Sequence, residues 1–334
     1  MQRREFIASG LVAPFLPMFL RRPKNFGLIK SPGTYAQKVK KPYFCQWNRQ
    51  IKGSGQGKVI MLHKFLEKVT GTPVTPRNQL IGDCVGQAYA SGVDVLTATQ
   101  IEMGGKGEKW VARASAEAIY GGSRIECGPG KDEFYDPMRR EYSDGSCGEF
   151  AALFIRQYGV LLEKEYPGFD LTGYSKERST EWGIEGVPDS LEPLAREHPV
   201  KTVALIQTWD ELIDALANGY PVPLASSLGF GDPPWGEQYW QRDAQGFMRR
   251  TRRDPWYHCM LIIGYDDASD RKGACVLNSW GGLFRGPTQH DQPPTCSFWI
   301  DKRDIEEGLK MEDSYALSCY VGYPRMIIPD ARFF

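Results

Sequence analysis

The chain has 334 residues, 41% hydrophobic and 25% charged, proportions of an ordinary globular protein with one large domain or two smaller ones. Forty-one basic residues balance forty-one acidic ones, which argues against a general nucleic-acid binder, since that would need surplus Lys and Arg to replace counterions. The eight cysteines are scattered and include no C-x-x-C pair, so neither a zinc ribbon nor a thioredoxin-type redox site is expected, and no metal or cofactor is called for.

In chain order, Met1 to Arg4 is basic, and Arg3-Arg4-Glu5-Phe6-Ile7 resembles a twin-arginine export signal followed by an apolar stretch to Leu20. Pro14 and Pro17 interrupt that stretch, so residues 1–40 read either as a leader for export to the periplasm or beyond, or as a flexible arm. No other stretch approaches the ~20 apolar residues of a membrane helix. Residues 23–60, rich in Pro, Gly and Lys, read as an extended arm or linker. A short helix is expected over 61–70 and a turn over Thr72–Asn78. From Cys84 the apolar residues Val85, Ala88, Tyr89, Val93 and Leu96 keep a helical period for about five turns.

Ser115–Tyr120 reads as a short helix and Gly121–Ser146 as a long loop. A helix with Phe150, Leu153, Phe154 and Tyr158 on one face follows, capped at Gly159. Residues 170–200 read as irregular, and Trp209–Asn218 as a helix ending at Gly219. Val222–Ala225, His258–Tyr265, Ala274–Leu277, Cys296–Ile300 and Tyr315–Tyr320 are strand-like. Helices dominate the first half and strands the second, which indicates an α+β fold.

Three segments carry chemistry. Gly82-Asp83-Cys84 sits where a turn gives way to a helix, so free N–H groups and the positive end of the macrodipole favour a thiolate at Cys84. The competing reading is a buried structural cysteine. His258 opens an apolar strand, a rigid mount for a base. Asn278-Ser279-Trp280-Gly281 offers an amide to hold the imidazole and an indole to shield that bond. Arg249, Arg250, Arg252 and Arg253 form a basic run before His258, read mainly as a solvated loop face. His63, His198 and His290 have no metal-like spacing.

Together these segments resemble the papain-like cysteine peptidase family, whose order is Cys, His, Asn. Ser115-Ala116-Glu117, Asp144-Gly145, Tyr158-Gly159-Val160 and Glu165-Tyr166-Pro167 fit the same pattern, and the resemblance covers residues 74–322. It implies a two-lobed fold over 41–334, with a helical lobe about 80–170, a β-barrel-like lobe about 171–334, and a cleft between them. It further implies hydrolysis of peptide or protein substrates through an acyl-enzyme on Cys84, with His258 as general base and acid and Asn278 orienting it. Gln79 and the Cys84 N–H would form the oxyanion hole. His258 and Asn278 lie 174 and 194 residues after Cys84, against about 130–150 in the family, so insertions are expected at 122–143, 172–200 and 229–256.

Departures are visible. Gln79 lies five residues before Cys84 where the family has six, Val85 replaces an aromatic residue, Ile81 replaces a disulfide cysteine, and Asp83 sets a carboxylate beside the thiol. No long helical propeptide is recognisable. The alternatives are a catalytically weak scaffold that binds peptide or serves structurally, a cell-wall amidase, and a transglutaminase-like acyl transfer.

Overall fold

The computed structural model describes residues 26–104, 109–230, 242–250, 255–283 and 293–333. Arg3, Arg4, Arg252, Arg253 and His290 lie outside them. Residues 26–29 form an extended strap, followed by the single turn α1 (Tyr35–Lys38) and strand β1 (Val59–Met61). Little of 26–60 is a loose arm: Phe26, Leu28, Tyr35, Val39, Phe44 and Ile51 are all buried in the body.

Helix α2 (His63–Thr70) stops at Gly71, whose φ of 69° lets its N–H close back on the Glu67 carbonyl. Helix α3 (Cys84–Gly104) is buried along most of its length, and its apolar residues run all round rather than along one stripe. Helix α4 (Ala116–Arg124) starts at Ser115, whose hydroxyl caps the Ala118 N–H. It runs a turn further than expected, then gives way to the small hairpin of β2 (Tyr135–Asp136) and β3 (Glu141–Tyr142). Helix α5 (Gly148–Gln157) and the hairpin of β4 (Glu165–Tyr166) and β5 (Phe169–Asp170) follow.

The stretch read as irregular holds helix α6 (Lys176–Glu185), capped by Ser175, and the single turn α7 (Glu192–Ala195). Helix α6 packs on α4, and the contact needs glycine: a Cβ at Gly121 would stand 2.8 Å from the Trp182 carbonyl oxygen. The helical layer therefore extends beyond residue 171. Strand β6 (Thr202–Leu205), helix α8 (Trp209–Leu216), β7 (Val222–Ser226), β8 (His258–Asp266), β9 (Gly273–Leu277), β10 (Ser297–Asp301), helix α9 (Lys302–Leu309) and β11 (Tyr315–Ser318) complete the chain.

Strand β8 is the centre of the main sheet. Its start pairs antiparallel with β7 and its end with β1 along one edge, while β9 and then β10 extend the other. Strands β6 and β11 form a separate antiparallel pair. The architecture is α+β, but among the described residues the strands do not close into a barrel: β10 ends one side of the sheet and β1 with β7 the other. Helix α3 packs against α2, α4 and α5 on one side and against β7 and β8 on the other. The helical and sheet layers thus meet along the helix that begins at Cys84. Among the described residues no helix is long and apolar enough to cross a membrane.

Candidate active site

Cys84 is the first residue of α3 and is fully buried. Burial pushes its thiol well above the ordinary cysteine range, and the Asp83 charge adds to the rise. The backbone N–H groups of Cys259, Val85 and Cys84 itself oppose it. The first of these belongs to the residue after His258, so the sulfur lies against the start of β8. The Asp83 carboxylate does not engage the thiol. Its Oδ2 accepts from Tyr174 Oη at 2.8 Å, Ser179 Oγ at 2.9 Å and Gln87 Nε2 at 3.0 Å. Burial raises this carboxyl to about 6 against those three donors. Asp83 thereby ties the mouth of α3 to the loop before α6 and to α6 itself.

His258 opens β8 and is wholly buried. Its Nε2 lies 2.7 Å from Asn278 Oδ1, and the same oxygen accepts the Ser279 N–H at 2.7 Å. An amide oxygen only accepts, so Nε2 carries the proton of the neutral ring and Nδ1 keeps the lone pair. Nδ1 is buried and has no hydrogen-bond partner. Burial lowers the imidazole to about 4, with the Asn278 bond pulling the other way. Trp280 stacks on His258 with centroids 5.1 Å apart and planes 24° apart, and so covers the His258–Asn278 bond from water.

Gln79 reaches the same place from the helical side. Its Oε1 accepts from Ser279 Oγ at 2.7 Å, and its NH2 group donates to the Ile81 carbonyl at 3.1 Å as well as to the strap. The backbone there is cross-linked: Gln79 N–H donates to the Ser279 carbonyl and Gly281 N–H to the Arg77 carbonyl. Arg77 is buried and anchored to Asp94 at 2.7 Å, Glu163 at 3.0 Å and the Ala114 carbonyl at 2.7 Å. A five-residue gap before Cys84 therefore still delivers the glutamine amide to the site. The rung between residues 77–79 and 279–281 fixes its position.

The strap crosses this constellation. The Phe26 carbonyl accepts from Gln79 Nε2 at 3.0 Å, and the Phe26 N–H donates to the Tyr257 carbonyl at 3.1 Å. Gly27, at φ 110°, lies so close to Gly82 that a Cβ would overlap the Gly82 carbonyl oxygen. The Ser146 N–H donates to the Gly27 carbonyl at 2.9 Å and the Ile29 N–H to the Ser146 carbonyl at 2.8 Å. The Phe26 ring lies 5.2 Å from His258, 4.7 Å from Trp280 and 5.5 Å from Trp256.

Of the four residues singled out in the sequence, His258, Asn278 and Gln79 are linked through Asn278 and Ser279, while Cys84 lies against Cys259, the residue after His258, with no hydrogen bond between its thiol and His258 Nδ1. The strap, Trp256, and the orienting roles of Ser279 and Tyr174 were not foreseen. The Asn278-Ser279-Trp280-Gly281 element held the only sequence signal for Ser279. Arg250 of the basic run is engaged with Asp304 at 3.3 Å. No disulfide joins any of the eight cysteines, and among the described residues no group of three or more His, Cys, Asp or Glu side chains is placed to hold a metal ion.

No protein-family model matches the sequence, and no curated protein matches it. In three dimensions the chain is similar to xylellain, a cysteine protease from Xylella fastidiosa, with a TM-score of 0.55 and 18% identity over 90% of this chain and 98% of that one. It also aligns with proCathepsin B S9 from Trypanosoma congolense (TM-score 0.46, 12% identity, 90% and 82% covered). A third alignment is with digestive procathepsin L 3 of Tenebrio molitor (TM-score 0.42, 13% identity, 78% and 69% covered). The xylellain match establishes a papain-like α+β fold.

Proposed function

We propose that this chain, which carries the papain-like fold of cysteine proteases, is itself a cysteine peptidase with Cys84 as nucleophile. The observation that carries the reading is the protonation pattern of His258. Its proton is held on Nε2 by Asn278 at 2.7 Å, and its buried Nδ1 has no partner. That is a base waiting for a proton beside the amide that points at the Cys84 sulfur.

In the strapped form thiol and imidazole are both neutral, because burial raises one and lowers the other. Lifting the strap readmits water and a substrate carbonyl, and the thiol proton passes to Nδ1. The sulfur then attacks the carbonyl carbon. The oxyanion is met by Gln79 Nε2, which now holds the Phe26 carbonyl, and by the Cys84 N–H. The imidazolium gives its proton to the leaving amine, and a water deprotonated by Nδ1 hydrolyses the thioester. Peptides or proteins are the substrates on this reading, and export through the Arg3-Arg4 leader is part of it.

The test is digestion of a mixed peptide library by the full chain and by Cys84→Ala, together with labelling by a thiol-directed epoxide. Cleavage confined to the unsubstituted chain, with label on Cys84 ahead of the other seven thiols, is the expected result. Cleavage that survives the substitution rejects the nucleophile. Uniform slow labelling without cleavage favours a binding scaffold.

A further inference from the structure

We infer, on the peptidase reading above, that Asp83 is a positioning residue that must carry its proton for Cys84 to attack at full rate, so that Asp83 and the donors around it confine the enzyme to acidic surroundings. Asp83 stands immediately before the first residue of α3 and is wholly buried. Its Oδ2 accepts from Tyr174 Oη, Ser179 Oγ and Gln87 Nε2, while its Oδ1 is buried with no partner. Among the described residues no Lys, Arg or His side chain is paired with it. A carboxylate with one bare oxygen and no cation is costly to ionise away from water. Burial therefore raises this carboxyl to about 6 despite its three donors.

The groups that face Asp83 do not offset its charge. On α3 these are Gln87 and Cys84 itself. From α4 the Glu117 carboxylate raises Asp83 further, and burial pushes the Tyr120 hydroxyl up, so that it stays neutral. Tyr174 is pushed up as well, by burial and then by Asp83. The nearby cations are engaged elsewhere. Arg178 of α6 is bound to Glu117 and to the Gly173 carbonyl. Arg124 of α4 donates to the Gly183, Gly145 and Ser143 carbonyls and lies over the Phe134 ring. On the far side of Gly82, Asp144 accepts the Gly82 N–H at 2.9 Å.

The consequence falls on the sulfur. An ionised Asp83 raises the Cys84 thiol, whereas the shift of His258 comes from burial and the Asn278 bond. The carboxylate thus opposes the negative charge that grows on Cys84 as its proton leaves, with no matching gain at the imidazole. When Asp83 is neutral, the free N–H groups at the mouth of α3 act on the sulfur unopposed. The difference between the two states is on the order of tenfold in rate. Two of the three donors, Tyr174 and Ser179, come from 172–200, one of the stretches where insertions are expected. That stretch therefore sets the pH at which the nucleophile weakens.

The first measurement is kcat on a fluorogenic peptide from about pH 5 to about pH 8, with Cys84→Ala as the blank. In the full chain kcat should fall about tenfold as pH rises through about 6. Asp83→Asn keeps the shape and an acceptor for the same donors but carries no charge, so its kcat should show no such fall. Tyr174→Phe takes one donor from the ionised carboxylate, so the fall should persist at higher pH. A merely structural Asp83 would lower the rate by one factor at every pH. That result, or an undiminished fall in Asp83→Asn, overturns the inference and leaves the peptidase standing. If Asp83→Asn does not fold, an unmoved fall in Tyr174→Phe overturns it alone.

The second measurement needs no turnover. Iodoacetamide alkylation of Cys84, followed by mass spectrometry of its peptide, reports the thiolate directly. In the full chain the logarithm of the rate should climb with pH, level off for about one pH unit above about 6, and climb again. In Asp83→Asn it should climb without the step. An unbroken climb in the full chain overturns the inference even if the chain cuts nothing, whereas a step without Cys84-dependent cleavage counts against the peptidase reading alone.

Discussion

Replacing Phe26 by alanine should raise the initial rate of peptide hydrolysis. In the strapped form the ring is 7% exposed and touches three aromatic partners. Removing a buried phenyl group forfeits about 2–3 kcal/mol of transfer free energy. At about 1.4 kcal/mol per tenfold, the ratio of closed to open strap falls about 30- to 140-fold. If closure dominates at rest, the initial rate on a fluorogenic peptide and the rate of Cys84 alkylation rise by the same factor, up to the ceiling set by the fully open form. Gly27→Ala should act in the same direction by a different route, because its Cβ overlaps the Gly82 carbonyl and φ 110° disfavours a side chain. The main-chain bonds to Tyr257 and Ser146 survive the Phe26 change, so loosening rather than misfolding is expected. Unchanged initial rates and unchanged alkylation in both variants would refute the view that the strap holds the site closed.

Ser279→Ala frees the Gln79 amide to rotate, and kcat should fall about tenfold with KM little moved; Gln79→Ala should cost about 10²–10³ in kcat, measured on the same fluorogenic peptide. Asp83 has a folded pKa raised to about 6 from 3.8, so the folded state binds its proton more tightly than the unfolded one. Its contribution is greatest below about pH 4 and is lost as pH rises to about 6, a change of about 3 kcal/mol. Urea denaturation should therefore show a flatter stability profile between pH 4 and 6 in Asp83→Asn than in the unsubstituted chain, and identical slopes would contradict this. Arg77→Met leaves Asp94 and Glu163 without their shared cation and should lower stability by about 3–5 kcal/mol, read as a fall in the midpoint of thermal unfolding.

The parts of the fold that were legible in the sequence have strong local signals. Helix α3 shows a long apolar period from Cys84, and β8 is nine buried residues in a row. The candidate site was legible because Cys84, His258 and Asn278 each sit at the edge of a helix or strand with a strong local signal. What escaped had little local signal. Helix α6 buries only Ser179, Trp182 and Gly183, which make no apolar stripe, and α9 buries only Ile305, Gly308 and Leu309, a face just over one turn long. Strand β1 is three residues long and takes its place from pairing with Tyr265 and its neighbours, some 200 residues later. The strap is apolar at Phe26 and Leu28, yet its partners at Gly82, Ser146 and Tyr257 are a matter of tertiary contact that periodicity does not encode. The barrel-like expectation came from the family resemblance; among the described residues the pairing leaves an open sheet.

The backbone rung that joins residues 77–79 to 279–281 bears on how a substrate gains entry. It stitches the two layers together directly behind the reacting groups, and the buried Arg77 rivets one end. Swinging the layers apart like a book would tear the glutamine amide away from the serine that aims it. On the peptidase reading, admission is therefore governed by peeling a four-residue latch from the front, while the back stays shut through every turnover.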